Sequence, residues 1–223
     1  TVIYAAIVPI ISVVISLLLA NTLVNLKSEK IRGMFQSIYF LPYVTSLVAI
    51  GIVWSWLFNS EYGVINYLLS FIGINPINWL GNPKWAMTAL IIFAVWKSLA
   101  FNTLILTTGI ASINPQYYQA AKLDQASKGT IFREITVKLV SPIIAYTYMI
   151  SLIAGFKVYT EVYVLFGGRT LDGAVSTVVR YIIDRFYGDQ DFPLAFAAAV
   201  VLLIVILTVT MVQRVVSRNK IHY

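Results

Sequence analysis

The chain has 223 residues, 59% of them hydrophobic and only 11% charged, with a mean hydropathy of +0.82 and a net charge of +7. No soluble domain of this size buries that much apolar surface, so the composition excludes an ordinary soluble enzyme and implies several crossings of a bilayer. It has no cysteine, which excludes disulfides, thiol nucleophiles and cysteine-based metal sites; its one histidine, His222, stands beside Tyr223 at the end of the chain, where a solvated side chain is expected rather than a ligand.

Residues 1–26 are uncharged and rich in Val, Ile and Leu, which predicts a first span. The run is too long, and lacks the basic leader, for a signal peptide. The sequence opens on Thr1 rather than Met, so a further segment upstream is expected. A short charged loop covers residues 27–32. Residues 33–58 predict a second span carrying Pro42 and Gly51, with Trp54 and Trp56 as interfacial anchors. Residues 59–84 read as a loop punctuated by Gly73, Pro76, Gly81 and Pro83, with a short amphipathic segment at 64–72. Trp79 and Trp85 suggest the interface again.

Residues 86–110 predict a third span. It holds Lys97, Ser98 and Asn102 at a depth where polarity is costly and often functional. Residues 140–159 predict a fourth span, with Lys157 near its end and Thr160 and Glu161 just beyond. A mixed-charge loop with Gly167, Gly168 and a helix at 176–187 leads to a fifth span, residues 192–212. Its run of small residues from Ala195 to Ala199, broken by Phe196, would permit close helix contact. The expected fold is all-α, a polytopic membrane bundle forming one transmembrane domain over residues 1–223, with five spans here and six in the complete protein.

Between the third and fourth spans lies the basic stretch 114–142. Asn114 suits an N-cap and Pro115 the first helical position, where a missing N–H costs nothing. Nothing from Gln116 to Ser127 breaks a helix, so one is predicted over 115–127, and Gly129 then allows a turn. Tyr117, Ala120 and Ala121 fall on one side at helical spacing, with Leu123 near the edge, a small-residue face that a partner could approach closely.

Charge sets the orientation. Lys27, Lys30, Arg32, Lys122, Lys128, Arg133, Lys138, Arg214, Arg218 and Lys220 fall in the loops and tail on one side. Lys84, Arg169, Arg180 and Arg185 fall on the other, with Lys97 and Lys157 at membrane depth. The positive-inside rule places the first set, the 115–127 helix and the C-terminus in the cytoplasm. This bias accounts for the net charge of +7 without nucleic-acid binding.

The run Tyr118-Gln119-Ala120-Ala121-Lys122-Leu123-Asp124, followed by Ala126-Ser127, Phe132-Arg133 and Ile135-Thr136, resembles the EAA signature of ABC-importer permeases. That pattern reads Glu-Ala-Ala, three residues, Gly, nine residues, then Ile-x-Leu-Pro. Here Gln119 replaces the Glu, Gln125 the Gly, Val137 the Leu and Lys138 the Pro, while the spacing is intact. Elsewhere, Ile38-Tyr39-Phe40-Leu41-Pro42, Tyr62-Gly63-Val64-Ile65-Asn66-Tyr67-Leu68-Leu69, Trp96-Lys97 with Phe101-Asn102, and Phe156-Lys157-Val158-Tyr159 with Glu161-Val162-Tyr163 resemble sugar-importer permeases of the first-permease, maltose and multiple-sugar type. Gly167-Gly168-Arg169 stands where that family usually has Gly-Gly-Pro.

The resemblance implies half of a translocation path in a bacterial or archaeal inner membrane. A second permease would form the other half, two ATPase subunits would bind the ATP and Mg and dock on the 114–138 region, and an extracytoplasmic solute-binding protein would deliver a sugar. Tyr117, Gln119, Ala120, Ala121, Leu123 and Asp124 would carry the coupling. Lys97, Ser98, Phe101, Asn102, Lys157, Thr160 and Glu161 would line the substrate site, although Lys157 and Glu161, four apart, could simply pair on one helix face. The chain has no Gly-x4-Gly-Lys-Ser/Thr phosphate loop and no Ser/His/Asp or metal-ligand set, so no enzyme activity and no cofactor of its own is expected. Two other readings remain open: an importer permease for a non-sugar solute, and an ion-driven secondary transporter, which usually carries paired intramembrane carboxylates.

Overall fold

The computed structural model describes residues 1–26 and 28–218. Among these all regular elements are helical: α1 (Val2–Val24), α2 (Glu29–Val44), α3 (Leu47–Leu57), α4 (Val64–Ser70), α5 (Pro83–Ala111), α6 (Pro115–Leu123), α7 (Lys128–Ile131), α8 (Val137–Phe156), α9 (Thr160–Phe166), α10 (Val178–Ile183) and α11 (Phe192–Arg218). Lys27, Lys220 and His222, which the sequence reading used, lie outside the described residues, as does the side chain of Arg218.

Among the described residues four helical stretches are long and apolar enough to cross a membrane: Val2–Val24, Pro83–Ala111, Lys128–Phe156 and Phe192–Ser217. The predicted second span is not a straight helix. It is split into α2 and α3, which meet at 102°, and it makes a fifth crossing only if the bent pair counts as one span. Pro42 cannot donate a helical hydrogen bond, and Thr45, three residues on, leaves helical geometry at φ −78°, ψ 148°.

The bundle is built on α1, α5 and α8, with α2 on α5, α3 on α9, and α11 on α8 and α10. Among the buried residues of α1, Ala5, Ser12, Ser16 and Ala20 form a fully buried small-residue stripe beside Tyr4, Val8, Val13 and Leu23. In lipid there is little hydrophobic drive between helices, so close backbone approach supplies the packing. Gly155 of α8 shows it, since a Cβ there would stand 3.0 Å from Ala5 Cα. Near the basic end Ala20, Leu106, Ile110 and Val140 form a small core; toward the other end Tyr4, Val8, Phe58, Trp79, Phe93 and Phe166 belong to a larger one.

That larger core revises the loop at 59–84. Asn66 of α4 is 5% exposed and organises it. Its amide donates to the carbonyls of Asn59, Ser60 and Ile77 at 3.3, 3.2 and 2.9 Å, and its Oδ1 accepts from the Trp79 indole at 2.8 Å. Trp79 is therefore not an interfacial anchor but a buried one, 5% exposed. Trp54 likewise packs among Phe58, Phe93 and Trp96, while Trp56 stays 69% exposed.

The basic stretch also differs from expectation. Asn114 Oδ1 caps the helix by accepting from the Gln116 N–H at 2.9 Å, as predicted. The helix then stops at Leu123, four residues early, because Gln125 takes φ 56°. The Ala126 N–H returns to Ala121 O at 2.9 Å and the Gln125 N–H to Lys122 O at 3.1 Å, a Schellman closure. The turn sits at Gln125, where the family pattern has glycine, and not at Gly129, which lies inside α7. From Lys128 a continuous helical path with a π-turn at Phe132–Thr136 runs to Phe156, so the fourth crossing starts well before residue 140.

At its far end that path stops at Phe156, three residues before the predicted end at 159, and Thr160 and Glu161, expected just beyond the span, open a separate helix, α9. The predicted 176–187 helix is α10 followed by a second π-turn at Asp184–Gly188. Of the small-residue run in α11 only Ala195 is buried; Phe196 and Ala197 are exposed, so within this chain the run makes little close contact.

Candidate functional site

Lys97 stands at the midpoint of α5, where an uncompensated charge would be expensive. Its partner is Glu161, the residue whose spacing would allow a pair with Lys157: Lys97 Nζ lies 2.7 Å from Glu161 Oε1. The side chains are 33% and 17% exposed, so the pair is partly shielded yet open to a cavity. The alternative Lys157–Glu161 pair on one helix face does not form, because α8 ends before Lys157 and α9 begins after it.

Lys97 and Glu161 line a cavity of about 320 Å³ between α1, α2, α5, α8 and α9. That is the small end of the range for small-molecule sites, roughly 300–1,000 Å³. Ser98, Phe101 and Asn102 join them on one side of α5. Five of the seven residues singled out from sequence thus come together; Lys157 and Thr160 are exposed and do not line the cavity. The sequence reading missed Tyr4, Tyr43 and Ser151, which also line it. Ser151, a hydroxyl within an apolar span, was the available signal.

The polar groups are held in place. Asn102, 1% exposed, donates from Nδ2 to Ser12 Oγ at 3.2 Å and accepts at Oδ1 from the Ser151 hydroxyl at 3.2 Å. One amide thereby ties α1, α5 and α8. The Ser98 hydroxyl donates to Ala94 O at 2.8 Å, which leaves its oxygen to accept from a ligand. Tyr43 stacks on Phe101 with centroids 5.5 Å apart. Fixed hydrogen-bonding groups beside aromatic faces suit a ligand with both hydroxyls and apolar ring surface.

At the basic end α6 presents a second surface. Tyr117 and Leu123 are 55% and 85% exposed, and Gln119, Ala120 and Asp124 are exposed too. Ala121, placed on the same face from sequence, is only 8% exposed. It points into the protein on the side of Tyr118, whose hydroxyl lies 3.2 Å from Thr136 Oγ1. Among the six coupling candidates Ala121 therefore seats the helix, and the other five remain accessible.

Residues 12–221 match the family model described as "Binding-protein-dependent transport system inner membrane component". The chain is 31% identical to a trehalose/maltose transport system permease protein of Thermococcus litoralis, over 85% of this chain and 63% of that protein. It is 31% identical to an arabinooligosaccharides transport system permease protein of Bacillus subtilis, over 92% of this chain and 65% of that one. It thus spans less than two thirds of these relatives' length. Its fold is similar to a chain of a bacterial ABC transporter involved in import of the acidic polysaccharide alginate, with a TM-score of 0.82 at 26% identity, covering 92% of this chain and 71% of that one. A chain of an alginate transporter in complex with an alginate pentasaccharide-bound periplasmic protein gives 0.87 at 25% identity, covering 98% and 76%.

Proposed function

Because the chain belongs to the binding-protein-dependent transport system inner membrane component family, we propose that it is the permease subunit of an ATP-driven importer of sugars or oligosaccharides. The family match over residues 12–221 carries this reading. The trehalose/maltose and arabinooligosaccharide relatives favour a sugar over another solute, and the alginate transporter bound to its periplasmic protein favours delivery by a solute-binding protein. In this reading a second permease completes the path, and two ATPase subunits hold ATP and Mg. The basic end, with α6 and Arg214 near the end of α11, faces the cytoplasm, as the positive-inside rule directs.

The mechanism follows from the two surfaces. The central cavity offers Ser98, Phe101 and the Lys97–Glu161 pair to sugar hydroxyls and ring faces, with Asn102 holding its wall together. At the other surface, α6 takes up ATPase movement through Tyr117, Gln119, Ala120, Leu123 and Asp124, and its short capped form lets it move as a unit. The Tyr118–Thr136 contact passes that movement to the path that continues as α8, which lines the cavity through Ser151. Rocking of helices about a fixed site is alternating access.

A crosslink tests it. With no native cysteine, Leu123→Cys gives one reactive site on α6. In membranes holding the complete complex, paired with a cysteine in the ATPase groove, oxidation should give a crosslink whose yield changes with nucleotide. Absence of a crosslink in every nucleotide state, with the ATPase present, refutes the assignment.

A further inference from the structure

Resting on the sugar reading above, we infer that the central cavity takes an uncharged sugar and that Glu161 enforces this by neutralising Lys97. Among the described residues that line the cavity, Lys97 and Glu161 are the charged ones. A lone ammonium in a half-shielded site would attract a carboxylate or phosphate. Here the ammonium is already engaged at 2.7 Å. An entering anion would meet the Glu161 carboxylate beside the Lys97 ammonium, and would lose its hydration without gaining a free counter-charge. Lys157, the second lysine near this depth, is exposed and outside the cavity wall, so it adds no free positive charge there.

The carboxylate is also held. Glu161 opens α9, and α9 packs on α3 where Gly51 lacks the Cβ that would collide with Val164. The remaining lining groups, the Ser98 and Ser151 hydroxyls, the Asn102 amide and the faces of Tyr4, Tyr43 and Phe101, are neutral. They match a polyol and not an anion. Fold likeness does not decide the point, because an importer of acidic alginate shares this fold. The ion pair decides it.

The test uses the purified permease–ATPase complex without its solute-binding protein, so that only the membrane cavity selects. Saturation-transfer NMR would compare neutral di- and trisaccharides of glucose and arabinose with counterparts carrying one uronate. The wild type should bind the neutral series. Glu161→Gln, which leaves Lys97 free, should shift the neutral-to-uronate ratio toward the uronate by about tenfold or more. Removing both charges, in Lys97→Met/Glu161→Gln, should return the ratio toward the wild-type value. If Glu161→Gln does not assemble, Lys97→Gln asks the same question with opposite sign: its lone carboxylate should widen the neutral preference. A wild type that prefers uronates, or a ratio unmoved by these variants, overturns the charge inference and leaves the sugar reading standing. Binding of neither series by an assembled, ATP-hydrolysing complex removes the sugar reading itself, and this inference with it.

Discussion

Lys97 Nζ and Glu161 Oε1, 64 positions apart in the chain, meet at 2.7 Å in the middle of the bundle. The contact joins α5 to a helix that follows the end of the fourth crossing, and it places a formally neutral pair at the wall of the central cavity. Removing one partner leaves the other charge unpaired, whereas removing both leaves none. Glu161→Gln or Lys97→Met alone should therefore destabilise the purified complex by about 1.5–3 kcal/mol, and Lys97→Met/Glu161→Gln by less than the sum of the two. Thermal unfolding of the four species gives the coupling directly. Additive losses would show that the pair is structurally idle.

Asn102 serves three helices with one side chain. Asn102→Leu keeps roughly the volume but takes the acceptor from the Ser151 hydroxyl and the donor from Ser12 Oγ, which keeps its own bond to Pro9 O at 3.3 Å. Interhelical hydrogen bonds in membranes average about 0.6 kcal/mol and reach about 1.7, so a loss of about 1–2 kcal/mol is expected for this doubly bonded amide. The same thermal measurement reads it, and a neutral substitution would mean that the serines find other partners.

Gln125 carries a left-handed turn that glycine would adopt at less cost. Gln125→Gly should stabilise the complex by about 0.5–1 kcal/mol, since relief of backbone strain is partly offset by glycine's greater unfolded-state entropy. Gln125→Val should do the reverse, because a branched Cβ is poorly tolerated at φ 56°. If valine were harmless, the α6 closure would not need this conformation.

Accessibility separates the two sides of α6. A maleimide added to membranes that carry the permease without its ATPase subunits, opened to the cytoplasm, should label Leu123→Cys readily and Ala121→Cys poorly, following their 85% and 8% exposure. Equal labelling would mean that α6 is not seated through Ala121.

Gly155 lets α8 approach α1 at Ala5. Gly155→Val forces branched atoms against backbone, not a flexible side-chain end, and should cost about 1–3 kcal/mol. The assembled permease recovered from membranes should fall accordingly, with Gly155→Ala intermediate.

Much of this was legible from local pattern. Long apolar runs marked the first, third and fifth crossings, the third in spite of Lys97, and Asn114-Pro115 marked the start of α6, because hydropathy and capping are decided by residues near one another in the chain. The resemblance placed Lys97, Ser98, Phe101, Asn102, Lys157, Thr160 and Glu161 in one group, and the fold brings all but Lys157 and Thr160 to one cavity. What the chain alone left open were facts about partners distant in sequence. The Lys157–Glu161 spacing looked like a helix pair because periodicity assumes an unbroken helix, and only the break after Phe156 hands Glu161 to Lys97. Trp79 looked interfacial because composition cannot show that Asn66 folds the loop over it. Ala121 shared a helical stripe with Tyr117 and Ala120, and only packing against the bundle decided which edge of that stripe is covered. Apolar period and caps are one-dimensional properties; burial and ion pairing depend on which surfaces meet, and those are set when the helices pack.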